Sequence, residues 1–411
     1  MLQGVLGVVL HLSRISGVFP LSPKGPKLSV SFRLVVCAKI FAVVVVIVNC
    51  LFTANTLLFH EFKRPTLIFE LLRIFANIIT AVALLIAVFT SPQRTIRFTR
   101  ILQELDEMDK EVLENNSKNK SEIKLTIFVL SFLLISFVVR AYSFIYFINN
   151  EKSSQLRVAI YLFILWLALL MLSLTEVQVS LLARRINLSL KEVNNTLEHL
   201  YTRKSSNDYN RSRPQQMIFV TTKRVNEIQS TTEKLKQDNS GGKLIKVLDK
   251  NPVKLIRQCI KNYLSICDII TNITQSDGIL LGILIFCHIL YLMSNSYKII
   301  SYSSSPIDEE ANIYIAFYSS LLHAMIMTFC VEPYHGTETE MQRLQFLLRS
   351  MKWKNIDKTE IRNELNLFWS IMCMNKATYS PLGMFTLDRM FVLKVFGSLV
   401  TYMVIVFTYG S

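Results

Sequence analysis

Seven apolar runs, each about long enough to cross a bilayer, decide what this chain can fold into. They are Leu34–Phe59, Thr66–Thr90, Leu125–Ile148, Val158–Leu182, Gly278–Tyr297, Ile313–Val331 and Met390–Thr408. A spanning helix needs about 20 predominantly apolar residues, because hydrocarbon offers no partner to a bare peptide group. The second run, with Glu70 and Arg73, and the sixth, with His323, are the least clean. The expected fold is an all-α membrane protein with seven transmembrane helices.

Charge sets the expected orientation. Lys and Arg accumulate in cytoplasmic segments. With the N-terminus inside, the inner segments hold 36 of the 45 basic residues and the outer loops hold 5. Without the longest loop, which weighs little in this rule, the ratio is still 19 to 5. The expected layout follows. Residues 1–33 form a cytoplasmic segment, 34–182 carry the first four spans, and 183–277 form a cytoplasmic region. Residues 278–331 carry the fifth and sixth spans, 332–389 are cytoplasmic again, and 390–411 hold the last span and a short outer tail. The net charge of +15 is scattered, and no basic patch on a soluble domain is evident. It fits topology and attraction to anionic membrane lipid, and nucleic acid is not an expected partner.

Several stripes outlast the bilayer. Val179, Leu182, Ile186, Leu190, Val193, Leu197 and Leu200 keep a 3- and 4-residue spacing beyond the fourth run. Leu255, Cys259, Tyr263, Cys267 and Ile270 enter the fifth. Met341, Leu344, Leu348 and Met351 leave the sixth, and Ile361, Leu365, Phe368 and Met372 precede the last. Each apolar face needs cover, and a helical bundle below the membrane supplies it. Between the first two stripes, 203–242 is polar and is expected to be a disordered loop. The N-terminal run Leu2–Leu12 lacks a basic leader and a clear cleavage site, so it reads as an interfacial helix rather than a signal peptide.

The seven cysteines avoid the proposed outer loops, and no C-x-x-C pair occurs, so neither a disulfide framework nor a zinc site is expected. No phosphate loop, nucleophile elbow or H-E-x-x-H stands in the chain. No enzyme activity, cofactor or metal is expected. Polar and aromatic residues instead gather at the outer halves of the spans. Arg73, Arg140, Trp166, Tyr291, Tyr318 and His323 are the candidate ligand-binding residues, with Glu70, Tyr142 and His288 nearby. Trp and Tyr offer a small ligand broad apolar faces and single hydrogen bonds. The alternative is that they pack or form an interfacial belt.

The last run carries a polar row. Lys394, Ser398, Thr401, Ile405 and Thr408 are spaced 4, 3, 4 and 3, on one helix face. Polar groups at membrane depth face a bundle interior or water. The row therefore reads as pore-lining, unless its hydroxyls merely bond their own helix carbonyls.

Phe385, Leu387-Asp388-Arg389, Gly397 and Thr401-Tyr402 resemble the C-terminal signature of insect gustatory receptors, as does Val331-Glu332-Pro333. That signature ends in Thr-Tyr, five mostly apolar residues and Gln-Phe; here Thr408-Tyr409 replaces Gln-Phe. The sequence matches cover about the last eighty residues, and segment count extends the likeness to the whole chain. The resemblance implies a fold like that of insect odorant receptors and assembly as a tetramer with copies of itself or related subunits. It implies a cation channel opened by a small-molecule tastant, with the last helix lining the pore and cytoplasmic helices forming a shared anchor. It also implies the plasma membrane of sensory dendrites. Met403 stands where sugar receptors often carry Glu, which points to a bitter-type ligand, although the Glu332-Pro333 region also resembles fructose-type receptors. A metabotropic receptor, an auxiliary co-receptor and a transporter are the alternative readings.

Overall fold

The computed structural model describes residues 5–22, 29–59, 64–112, 155–211, 252–303, 310–354, 359–375, 378–383 and 385–409, with isolated helical positions at 131, 135, 138 and 145. In chain order the elements are α1 (Val5–Ile15), β1 (Leu21–Ser22), β2 (Ser29–Val30), α2 (Phe32–Phe59), α3 (Arg64–Val112), α4 (Gln155–Arg211), α5 (Pro252–Ser303), α6 (Glu310–Lys354), α7 (Thr359–Met374), a 3₁₀ turn (Pro381–Gly383) and α8 (Arg389–Tyr409). The two strands form one short antiparallel pair, Leu21 opposite Val30. Among the described residues everything else regular is helix, as a bilayer demands of chains that do not close a barrel.

Among the described residues, five helical stretches are long and apolar enough to cross a membrane: Phe32–Leu51, Leu71–Met108, Phe163–Thr202, Pro252–Ile300 and Ile313–Lys352. They coincide with five of the seven runs read from the sequence. The last run is α8, whose 21 residues give about 32 Å of helix, enough for the hydrocarbon core. The third run, Leu125–Ile148, lies outside the described residues apart from its isolated positions.

The helices outrun the bilayer. α3, α4, α5 and α6 are 49, 57, 52 and 45 residues long, and a span uses about 20. α3 passes through Pro92 and α6 through Pro333 without ending. α4 also runs further than the sequence suggests, because the first nine residues of the 203–242 stretch are its last turns. Ser, Asn and charged residues there look like loop, yet helix propensity spans less than about 1 kcal/mol per residue for all but Pro and Gly. The rest of that stretch lies outside the described residues.

One core holds the extensions together. Ile186, Leu190, Val193 and Leu197 of α4 are buried with Ile256, Tyr263 and Ile270 of α5. Leu344, Leu348 and Met351 of α6 and Leu365, Phe368 and Met372 of α7 join the same cluster. The four stripes therefore meet in one bundle rather than lying separately on a leaflet. α1 joins it too. Leu10 is in the cluster, so the helix meets protein rather than lipid alone, and Phe19, just after α1, joins it and meets Phe98 of α3 edge-on at 5.3 Å.

Polar clamps fix the register of α4 on α6. Asn194 Nδ2 donates to the Glu340 carbonyl and to its carboxylate, both at 2.8 Å. Arg343 bridges Glu198 and Glu340. Gly336 lets the two helices approach, since a Cβ there would stand 2.3 Å from the Asn187 amide nitrogen. All seven cysteines are free thiols.

Candidate functional site

A chain of polar side chains crosses the packed helices. Glu176 of α4 is the one acid in its apolar run and is 2% exposed. Its Oε1 lies 2.7 Å from His288 Nε2 of α5. His288 Nδ1 lies 2.8 Å from His323 Nδ1 of α6. Tyr291 of α5 stacks on the His323 ring, 4.8 Å between centroids and 5° from parallel. The Tyr291 hydroxyl donates to Asn77 Oδ1 of α3 at 3.2 Å and lies 3.1 Å from Thr80 Oγ1. Four helices, α3 to α6, are thus tied by one network.

The distances accommodate one simple proton arrangement, in which the tautomers are assigned from the partners. A carboxylate at Glu176 accepts from His288 Nε2–H. A neutral His288 then offers Nδ1 as an acceptor, and His323 donates from its own Nδ1. Every ring nitrogen facing a partner is satisfied, as burial requires. The helical frame makes this possible. His288 stands one turn before Tyr291 on the same face; both meet His323 of α6, and they reach on to α4 and α3 respectively. His288 is also near the middle of the run Gly278–Tyr297, so the network lies near mid-depth. Chemically it can hold or move a proton and can offer a polar floor in an apolar bundle.

Of the six candidate ligand residues, the structure brings Tyr291 and His323 together. Arg73 is half-buried on α3. Tyr318 faces outward at 51% exposure, edge-on to Phe317, and does not join the network. Arg140 lies outside the described residues, and so do the side chains of Trp166 and Glu70. Glu176, Asn77 and Thr80 were missed. A lone carboxylate inside an apolar run was the available signal for Glu176, because such a charge needs a partner.

α8 is held at its start by two fragments of the C-terminal signature. Arg389 donates through Nε to Glu332 Oε2 at 3.0 Å and through Nη2 to Oε1, a two-pronged pair. Asp388 Oδ1 accepts from the Phe391 N–H at 2.7 Å and caps the helix. Phe385 stacks on Phe391 at 4.7 Å. Along α8, Val392, Val395, Phe396 and Leu399 pack on the core. Lys394, Ser398, Thr401, Ile405 and Thr408 are all exposed. Thr401 donates to the Gly397 carbonyl at 3.0 Å and Thr408 to the Val404 carbonyl at 2.8 Å. Tyr402, the other half of the Thr-Tyr motif, is half-buried.

These elements define a multi-pass helical membrane protein with a buried polar network and a peripheral last helix. The family described as 7tm Chemosensory receptor matches residues 6–410, and the chain belongs to that family of receptors. The fold is similar to the solved insect olfactory receptor OR5 from Machilis hrabei. The TM-score is 0.62 at 11% identity, covering 98% of this chain and 97% of that one. The same receptor in complex with eugenol matches with a TM-score of 0.63 at 9% identity and the same coverage. Among curated proteins, none matches the chain by sequence.

Proposed function

We propose that this chemosensory receptor is a gustatory-type subunit of a tetrameric cation channel, opened by a small organic molecule of bitter rather than sugar type. It sits in the plasma membrane of sensory dendrites with its N-terminus inside. The observation that carries the reading is the free face of α8. Its polar row is exposed along the whole helix, while the opposite face packs on α5 and α6. A row of hydroxyls turned away from its own subunit has a use where four copies meet around water. Thr401 and Thr408 give their protons to their own helix, yet their oxygens keep lone pairs for water or a cation. Ile405 is the one bulky apolar member, and four such side chains converging form a constriction that dewets. Lys394 is awkward in a cation pore, so its ammonium extends to the inner surface, away from the axis.

For the ligand, the support is the network beneath Tyr291 and His323, together with the eugenol held by the structurally similar receptor. Arg73, Arg140, Trp166, Tyr291 and His323 are the proposed cavity residues; Tyr318, which faces outward, is not. The test is whole-cell current from cells expressing this chain alone across a panel of bitter compounds and sugars. Current insensitive to G-protein block supports the channel. A response abolished by that block supports the metabotropic alternative, and saturable uptake without current supports a transporter. The stripe has its own control. Ile405→Ser should give ligand-independent current, and Thr408→Gln should alter ion selectivity; no change in either removes the pore assignment.

A further inference from the structure

We propose that the chain binds the phosphate-bearing headgroup of an anionic phospholipid in a cavity between α3, α4 and α5. The cavity measures about 350 Å³, separate from the polar network and from α8. It sits where three apolar runs end. Arg94 and Asp277 lie just outside the runs closing at Thr90 and opening at Gly278, and Leu182 is the last residue of the fourth. That level is the headgroup layer; the leaflet is the inner one on the proposed orientation.

The lining has two characters. Arg94, Arg97 and Arg100 follow one another at three-residue spacing on α3, opposed by Glu104 and Asp277. Arg94 is buried and pairs with Asp277 at 3.3 Å, so it is neutralised. Arg97 is half-buried and Arg100 is exposed, and both line the cavity. Arg97 spends its Nε–H on the Gln93 carbonyl at 3.4 Å and keeps its fork. Phe19, Phe98 and Leu182 supply an apolar wall. A cationic rim on an apolar wall suits an amphipathic anion better than a free one.

Gln178 gives the independent sign of a ligand. It is 1% exposed, it borders the cavity, and its amide nitrogen has no hydrogen-bond partner among the described residues. A buried donor without an acceptor is costly to a fold. A turn of this side chain toward the cavity it borders would give the amide a phosphate or ester oxygen as acceptor.

The test uses the full-length receptor in micelles, titrated with phosphatidylinositol phosphate against phosphatidylcholine and followed by native mass spectrometry. The wild type should retain one anionic lipid per chain in preference to phosphatidylcholine. Arg97→Gln and Arg100→Gln should each weaken retention about fivefold, the effect of one basic residue at an anionic surface. Arg97→Lys should keep most of it, and Gln178→Leu should lose preference for the anionic lipid while the protein stays folded. Both arginines lie at the surface, so the variants should unfold at the wild-type temperature. Unchanged retention in the Arg97→Gln/Arg100→Gln double variant would overturn the site. Displacement by free inositol phosphate at the same concentration as the lipid would overturn the lipid assignment in favour of a soluble anion.

Discussion

At the scale of single residues, the buried network puts a carboxylate where hydrocarbon would otherwise be. His288 Nε2, 2.7 Å from Glu176 Oε1, offsets part of the cost of burying it, while Oε2 has no hydrogen-bond partner among the described residues. The partners can be separated by substitution. Glu176→Gln keeps an acceptor for His288 Nε2, whereas Glu176→Leu leaves a buried N–H with none. The leucine variant should lose about 1–3 kcal/mol of stability, read as a lower melting temperature of the detergent-extracted protein, and the glutamine variant clearly less. Equal losses would mean that charge rather than hydrogen bonding matters there. Tyr291→Phe is a milder cut. It keeps the ring on His323 and removes the hydroxyl shared with Asn77 and Thr80. A loss of about 1 kcal/mol with unchanged ligand response would make Tyr291 structural, while a shifted concentration dependence would place it at the ligand. Tyr291 and Tyr318 show what single residues disclose in a sequence. Both sit in the half of their spans that the proposed orientation puts outside, which counting along a helix can read. Only one faces inward, because rotation about the axis is set by neighbouring helices.

At the scale of elements, periodicity carried most of the information. Val179, Leu182, Ile186, Leu190, Val193 and Leu197 were one stripe on paper and are one buried face of α4. The ends of elements were less visible, since the polar last turns of α4 look like loop. Two glycines mark where elements join, and they predict different costs. Gly17, between α1 and the strands, has φ +75°, and a Cβ there would stand 2.6 Å from the Ala38 Cβ. Gly383, before α8, has φ +68° and nothing within 4 Å. Gly383→Ala should cost about 1 kcal/mol, from backbone conformation alone. Gly17→Ala adds a clash with a side chain that has no freedom to move, so its melting temperature should fall further. Similar shifts for both would mean that α1 slides on α2 at little cost. On α8, cysteines at 398, 401 and 408 should react with water-soluble thiol reagents, while one at 399, on the packed face, should not. Equal labelling of both faces would leave α8 outside any conduction path.

At the scale of the whole molecule, the all-helical membrane class was legible because seven long apolar runs leave few alternatives. How the runs meet was not, because pairings such as Glu176 with His288 join residues 112 apart in sequence. Orientation is the property of the whole chain that the charge pattern speaks to most directly. It bears on the headgroup cavity, on the pore mouth at Thr408 and on every proposed ligand residue, since each changes sides if the chain is inverted. A glycan on any sequon of the proposed inner segments would contradict it. The sequon at Asn194 is fully buried and bonded to Glu340 in the folded chain, so a glycan there would both contradict the proposed orientation and disrupt the α4–α6 clamp. Epitope tags test it from both ends. A tag after Ser411 should stain on intact cells, and a tag before Met1 only after permeabilisation. The 19-to-5 excess of basic residues on the inner segments is the physical reason, because moving such segments across the membrane is what the positive-inside bias opposes. Staining of the N-terminal tag on intact cells would invert the molecule and move the cavity at Arg97 and Arg100 to the outer leaflet.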